Sequence, residues 1–98
     1  MYVGIGRYDF LVRSSTSLKD KRRVLRGVLG GISSRFKIAA AEVGHQDLRQ
    51  RGAIGVSCVS ESSFHARKVL SEVERFVRSQ YELELVDVQT DVVNPDNA

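Results

Sequence analysis

The order in which two hydrophobic periods follow one another most constrains how this chain can fold. A period of two runs through residues 2–12, where Tyr8 and Phe10 alternate with polar residues, as expected of a half-buried strand. Helical spacing of apolar residues then covers about residues 18–35 and again 63–80. With further strand patterns at 36–43, 53–59 and 83–93, the predicted order is strand, helix, strand, strand, helix, strand.

The side chains expected in the core follow from the same periods. Among the strands, the third places Ile54, Val56 and Cys58 on one face, and the last places Val86, Val88, Thr90 and Val92 on one face. Ser17 is the predicted N-cap of the first helix, with Asp20 completing an acidic variant of the capping box. The apolar faces of the two helices consist of Leu18, Leu25, Val28, Leu29, Ile32 and Phe36, and of Ala66, Val69, Leu70, Val73, Phe76 and Val77.

Two strand–helix–strand units around a central hairpin predict an α+β fold. It is a ferredoxin-like βαββαβ sandwich, with a four-stranded antiparallel sheet and both helices on one face. A length of 98 residues suits one domain. We assign residues 1–93 to it and expect the polar tail 94–98 to fray.

Composition favours a cytoplasmic protein without a bound group. The first ten residues lack the basic start and apolar centre of a secretory signal, and apolar runs are too short to span a membrane. The single cysteine, Cys58, cannot form an internal disulfide and is expected in the core. We expect no cofactor and no metal site.

The charges are divided unevenly along the chain. The net charge is +3, but residues 1–51 hold 11 Lys or Arg against 4 Asp or Glu, while residues 52–98 hold 4 against 8. Such asymmetry suggests an anionic partner for the first half, although folding could also mix the two halves into a patchwork surface.

Much of the positive charge lies in the segment SLKDKRRVLR, which opens the first helix. At 100° per residue, four cations share one solvent-facing stripe, and these are the predicted nucleic-acid-binding residues Lys19, Arg22, Arg23 and Arg26. Lys21 falls near the apolar side and is expected to snorkel. Cations near a helix N-terminus oppose its dipole, which favours a function over a merely solvated face. The second helix adds Arg67, Lys68, Arg75 and Arg78.

A polar cluster surrounds the central hairpin. It consists of Glu42, His45, Gln46, Asp47, Arg49, Gln50 and Arg51. A carboxylate, a histidine and an arginine so close together could perform acid–base chemistry. The alternative is a hairpin loop whose polar side chains hydrogen-bond their own backbone.

Three segments resemble the YlxP-like family of small bacterial proteins, a family of unknown function. They are SLKDKRRVLRGV, AAEVGHQDLRQRGAIGVSCVS and the closing LELVDVQTDVV, and the similarity runs from about residue 1 to 93. The resemblance implies a ferredoxin-like fold but no activity. Genes of that family often lie among translation and ribosome-maturation genes, which suggests RNA or ribosome contact. Two departures stand out: Arg49 replaces a frequent aromatic residue, and larger polar residues give way to Gly27, Gly30 and Gly31.

Three hypotheses of function follow. The leading one is a non-catalytic protein that binds RNA or a ribosomal subunit through the first helix. The alternative is a homodimeric protein-interaction module, joined through the sheet face that carries Val3, Ile5 and Leu11 or through an edge strand. The third is a small enzyme on the hairpin cluster, which would require a concave pocket joining Glu42, His45 and Asp47. The glycines of the first helix lie on its back, where drift on an exposed surface is the simplest explanation.

Overall fold

The structure, a computed structural model, describes residues 1–13 and 15–97 and has the predicted element order. Its elements are β1 (Tyr2–Val12), α1 (Leu18–Phe36), β2 (Ala39–Gly44), β3 (Arg51–Ser60), α2 (Ser63–Arg78) and β4 (Leu83–Val93). The strands form an antiparallel sheet in the order β2-β3-β1-β4. This confirms the ferredoxin-like α+β sandwich.

Both helices pack on one face of this sheet, and the core lies between the layers. Among the strand residues predicted for the core, Tyr8, Phe10, Ile54 and Val56 are buried there. The hydroxyl of Tyr8 donates to the carbonyl of Leu70 in α2 at 2.9 Å, which ties the second helix to the central strand. Burial raises the pKa of this phenol, since a charged oxygen would be poorly solvated there.

The prediction that Val86 shares the core face of β4 is wrong. Asp9 pairs with Asp87, whereas Phe10 pairs with Leu85, so a bulge at Val86 interrupts the register between β1 and β4. A bulge inserts one residue and reverses the side-chain alternation beyond it. Leu83 and Leu85 therefore lie on the core side, and Val86 is exposed.

The helix ends follow from capping. The Ser17 side chain accepts a hydrogen bond from the backbone N–H of Asp20, as predicted. The last residue of α1 is Phe36, and the C-cap residue Lys37 has a left-handed φ of 54°. The predicted second strand loses its first three residues for this reason, because Phe36 still belongs to the helix. Ser62 caps α2 in the same way as Ser17 caps α1.

Gly31 is not on a bare helix back. A Cβ built on it would lie 2.6 Å from the ring of Phe76 in α2, whereas nothing lies within 4 Å of a Cβ on Gly27 or Gly30. Gly31 therefore lets the two helices approach closely at this point. Phe76 also packs edge-on against Phe36, with ring centroids 6.1 Å apart.

The end of the chain continues past the sheet. Pro95–Asn97 form a short 3₁₀ helix, and a carboxylate oxygen of Asp96 accepts a hydrogen bond from the N-terminal amine at 2.7 Å. The expected fraying of residues 94–98 stays a prediction, and Ala98 lies outside the described residues.

Candidate functional site

Lys21 is the residue of the basic segment whose position departs most from the prediction. Its side chain is 1% exposed, so it is buried and does not snorkel. The Nζ atom donates to the carbonyls of His45 at 2.5 Å and Leu48 at 2.6 Å, and it lies 3.4 Å from a carboxylate oxygen of Glu42. A buried ammonium is costly unless its donors are satisfied, and these three oxygens satisfy them.

The contacts of Lys21 determine the shape of the hairpin loop between β2 and β3. His45 has a left-handed φ of 57°, and its carbonyl also accepts the N–H of Leu48 at 3.0 Å. Two further hydrogen bonds join this loop to the rest of the protein. The Arg49 guanidinium donates to the carbonyl of Thr16 at 3.4 Å, and the Gln50 carbonyl accepts from the backbone N–H of Val12 at 2.8 Å. The loop is therefore attached to α1, to the segment before α1 and to β1.

A second polar network lies on the opposite, open face of the sheet. Asp9 is 8% exposed there, and its carboxylate accepts from the Arg7 guanidinium at 2.9 Å and 3.3 Å. The ring Nε2 of His45 lies 3.3 Å from the same carboxylate. The hydrogen bond from Arg7 holds the pKa of Asp9 below its ordinary value, although burial acts against this.

His45 links these two networks, because its backbone contacts Lys21 and its ring contacts Asp9. Gly44 pairs with Ala53 and Ala53 pairs with Asp9, and each register shift of the sheet begins at this level. A Cβ on Gly44 would lie 2.8 Å from the Arg7 guanidinium. The first two of the three segments that carry the family resemblance therefore meet at this loop, since Lys21 belongs to the first and His45 to the second.

The seven residues of the predicted hairpin cluster do not converge on one site. Glu42 points to the helix side, His45 lies on the open sheet side, and Asp47 is exposed. Arg51 begins β3 and pairs with Leu11, and Gln46, Arg49 and Gln50 are exposed. The carboxylate of Glu42 contacts Lys21 on the helix side, whereas the ring of His45 contacts Asp9 on the open face. These side chains therefore do not face one concave pocket, as the acid–base hypothesis requires.

The basic stripe on α1 is exposed, as its position on the helix predicts. Arg23 is paired: its guanidinium lies 2.9 Å from Asp20 and 3.1 Å from Glu82, and these carboxylates raise its pKa. Among the described residues, no ion pair involves Lys19, Arg22 or Arg26. Three cations thus remain available to an external anion.

Metal ligands and membrane-spanning helices are two further features that bear on function. Among the described residues, no group of three or more His, Cys, Asp or Glu residues is placed to hold a metal ion. Neither α1 nor α2 combines the length and apolarity needed to cross a bilayer. Cys58 is buried, as predicted.

The sequence contained one signal for the buried lysine. Lys21 falls near the apolar side of the helical wheel, whereas Lys19, Arg22 and Arg26 fall on the outer side. Position alone could not distinguish snorkelling from burial, because the acceptors come from residues more than twenty positions away.

Replacement of Lys21 by Met should lower the free energy of unfolding by about 2–4 kcal/mol, because it leaves two carbonyls and a carboxylate without their donor. Urea denaturation measures this. The matched control is Arg22→Met, one residue along on the exposed stripe, which should change stability by less than about 0.5 kcal/mol. Equal effects of the two substitutions would contradict the burial of Lys21.

Replacement of Asp9 by Asn should destabilise the protein at pH 7 and much less in acid. The folded-state pKa of Asp9 lies below its ordinary value of 3.8, so its stabilising effect is complete above that value. The effect is lost as the pH falls through the lowered folded-state pKa. Denaturation of wild type and variant at pH 7 and below pH 3.8 tests this, and a difference in stability that grows in acid would refute it.

Comparison with known proteins identifies the family without supplying an activity. The chain is 32% identical over 89 residues to the uncharacterized protein YlxP of Bacillus subtilis (strain 168), covering 91% of this chain and 97% of that protein. It is also similar to the crystal structure of a candidate antibiotic biosynthesis monooxygenase from Deinococcus radiodurans, with a TM-score of 0.50 and 14% identity. That alignment covers 96% of this chain and 91% of the other, and at such low identity the likeness concerns the fold alone.

The family model described as "protein of unknown function (DUF503)" matches residues 3–90. Together with the identity to YlxP over nearly the whole of both chains, this match shows that the chain belongs to the DUF503 family.

Proposed function

We propose that this protein binds RNA, free or within a ribosomal subunit, through the outer face of α1. One observation carries the proposal: Lys19, Arg22 and Arg26 are exposed on one face and have no carboxylate partner within the described residues. Lys19 lies in the first turn of α1, where the helix dipole does not favour a cation. Local helix stability therefore does not explain a cation at this position, whereas an external polyanion would.

The internal contacts of the neighbouring charges support this proposal. Lys21 and Arg23 are engaged by acceptors within the protein, so their charges contribute less to the positive surface potential than those of unpaired cations. Each of the three remaining cations lies about one helical turn from the next along α1. Phosphates along a flexible single strand can match such a row without any recognition of base sequence.

A cytoplasmic location belongs to the same proposal.

The outer side of α2 adds Arg67, Lys68 and Arg75 to the exposed cations of the helical layer. Arg78 pairs with Glu74 at 3.0 Å and contributes less. The helix layer is thus the positive side of the molecule, while β4 contributes Glu84, Asp87 and Asp91 to the other side.

The double substitution Arg22→Gln and Arg26→Gln should weaken binding of a single-stranded RNA by at least tenfold at moderate salt. Loss of two phosphate contacts should also reduce the slope of log affinity against log salt by about 1.4, at roughly 0.7 per contact. Fluorescence anisotropy across a salt series measures both quantities.

The control for that experiment removes the same charge elsewhere. Lys37 lies beyond the end of α1, and Arg51 lies on the open sheet side, so Lys37→Gln with Arg51→Gln should leave the affinity within about twofold. If both double variants lose affinity equally, binding follows net charge and the proposed surface is wrong.

A homodimer through the open sheet face is a second candidate, and an exposed apolar row favours it. Val3 pairs in register with Val59 on one side and Val93 on the other, and Val59 is 71% exposed. Ile5, further along β1, is 48% exposed. The face also carries Arg7 beside Asp87 and Asp91 of β4, so a second copy offers both apolar contact and opposite charge.

Replacement of Val59 by Lys should then convert a dimer into a monomer, because the added charge would be buried in the apolar row. Sedimentation equilibrium at tens of micromolar protein compares the two forms. Glu61→Lys, an exposed substitution just beyond β3, is the control and should remain dimeric. A wild-type protein that stays monomeric at every concentration would end this candidate. RNA binding uses the other side of the molecule and does not depend on it.

A further inference from the structure

A cleft on the helical side lies between α1 and the turn that joins α2 to β4. Its volume is about 490 Å³, within the range of small-molecule sites. Val24 and Val28 of α1 form its apolar wall, with the Gly27 backbone between them, and Tyr81 and Glu82 line the opposite side. The helices touch at Gly31 and Phe76, so the cleft opens one turn before that contact on α1.

The cleft lies beside the exposed stripe of α1. Arg23 lines its edge and is held there by ion pairs to Asp20 and to Glu82. Arg26 directly precedes Gly27 in the helix. A ligand whose anionic part contacts the stripe can therefore place its next group into the cleft.

Tyr81 has the properties of a stacking residue. It is 91% exposed, whereas Tyr8 is fully buried in the core. A tyrosine so exposed contributes little apolar burial to the fold. Aromatic faces beside a positively charged groove are the features on which unpaired bases stack in single-strand-binding proteins, and Tyr81 lines a cleft that Arg13 and Arg23 also line.

Gly27 keeps the cleft open. A Cβ at this position would meet nothing within 4 Å, so the fold does not require glycine there. Glycine in a helix interior costs roughly 1 kcal/mol relative to Ala. Gly27 lines the cleft, so we expect a large side chain such as Leu at this position to occupy part of it.

We propose that this cleft holds one unpaired base of single-stranded RNA, stacked on Tyr81 against Val24 and Val28, while the flanking phosphates contact Arg22 and Arg26. This inference rests on the proposed function and specifies its ligand as a single strand rather than a duplex. The Glu82 carboxylate at the rim is an acceptor for the amino or imino hydrogens of a base.

The test compares a single-stranded RNA of about twelve nucleotides with a blunt duplex of the same sequence, by fluorescence anisotropy. Tyr81→Ala and Gly27→Leu should each weaken single-strand binding about tenfold, with duplex binding changed less than twofold. The matched controls are Phe64→Ala, which removes another aromatic residue that is 76% exposed, and Gly30→Leu, at the second open glycine. Neither control should change either affinity.

The outcomes separate this inference from the proposed function. If Arg22→Gln with Arg26→Gln weakens binding to both RNAs but Tyr81→Ala and Gly27→Leu bind as wild type, the cleft inference is overturned and the helix surface stands. If wild-type protein binds neither RNA, both are overturned. Circular dichroism and urea denaturation should show Gly27→Leu and Gly30→Leu to be at least as stable as wild type, because both remove a helix glycine. Should Gly27→Leu be unstable, Tyr81→Ala in its exposed turn decides the question alone.

Discussion

The Nζ of Lys21 lies inside the protein, between the start of α1 and the loop that joins β2 to β3. Its three acceptors come from Glu42, His45 and Leu48, so one side chain joins the helix layer to the end of the hairpin. Since an unsatisfied ammonium would be very costly in this position, the conformation of the loop and the placement of α1 depend on each other.

This arrangement explains how one basic segment can serve two purposes. Lys21 and Arg23 are engaged by acceptors of the protein itself, whereas Lys19, Arg22 and Arg26 project outward. The helical period separates Lys21 from the other four cations, which share one exposed side of α1. Arg23 differs from its neighbours on that side because it is paired with Asp20 and Glu82. A count of charges alone would not have separated Lys21 from the exposed cations. The proposed RNA contact uses only the outward group and, beside it, the cleft at Gly27.

The element order and most of the core were predictable from periodicity, since Tyr8, Phe10, Ile54 and Val56 follow patterns that only one sheet face satisfies. The position of Val86 was not predictable, because the bulge arises from the pairing with β1, where Asp9 pairs with Asp87 and Phe10 with Leu85, and it leaves no mark on the spacing of β4 itself. Gly31 was also misread: the sequence shows where it lies on α1 but not that Phe76 of α2 occupies the adjacent space. The polar networks of Lys21 and Asp9 join residues distant in sequence, and such pairings require the tertiary structure.

The most direct test of the account is a titration of isotope-labelled protein with single-stranded RNA, followed residue by residue through backbone amide NMR signals. If RNA binds as proposed, we expect changes in amide chemical shift confined to the outer face of α1 and the cleft, at Lys19, Arg22, Arg26, Gly27 and Tyr81. Signals of Ile5 and Val59 on the open sheet face should remain unchanged. Shifts concentrated on the open sheet face, or none at RNA concentrations far above those of the protein, would contradict it.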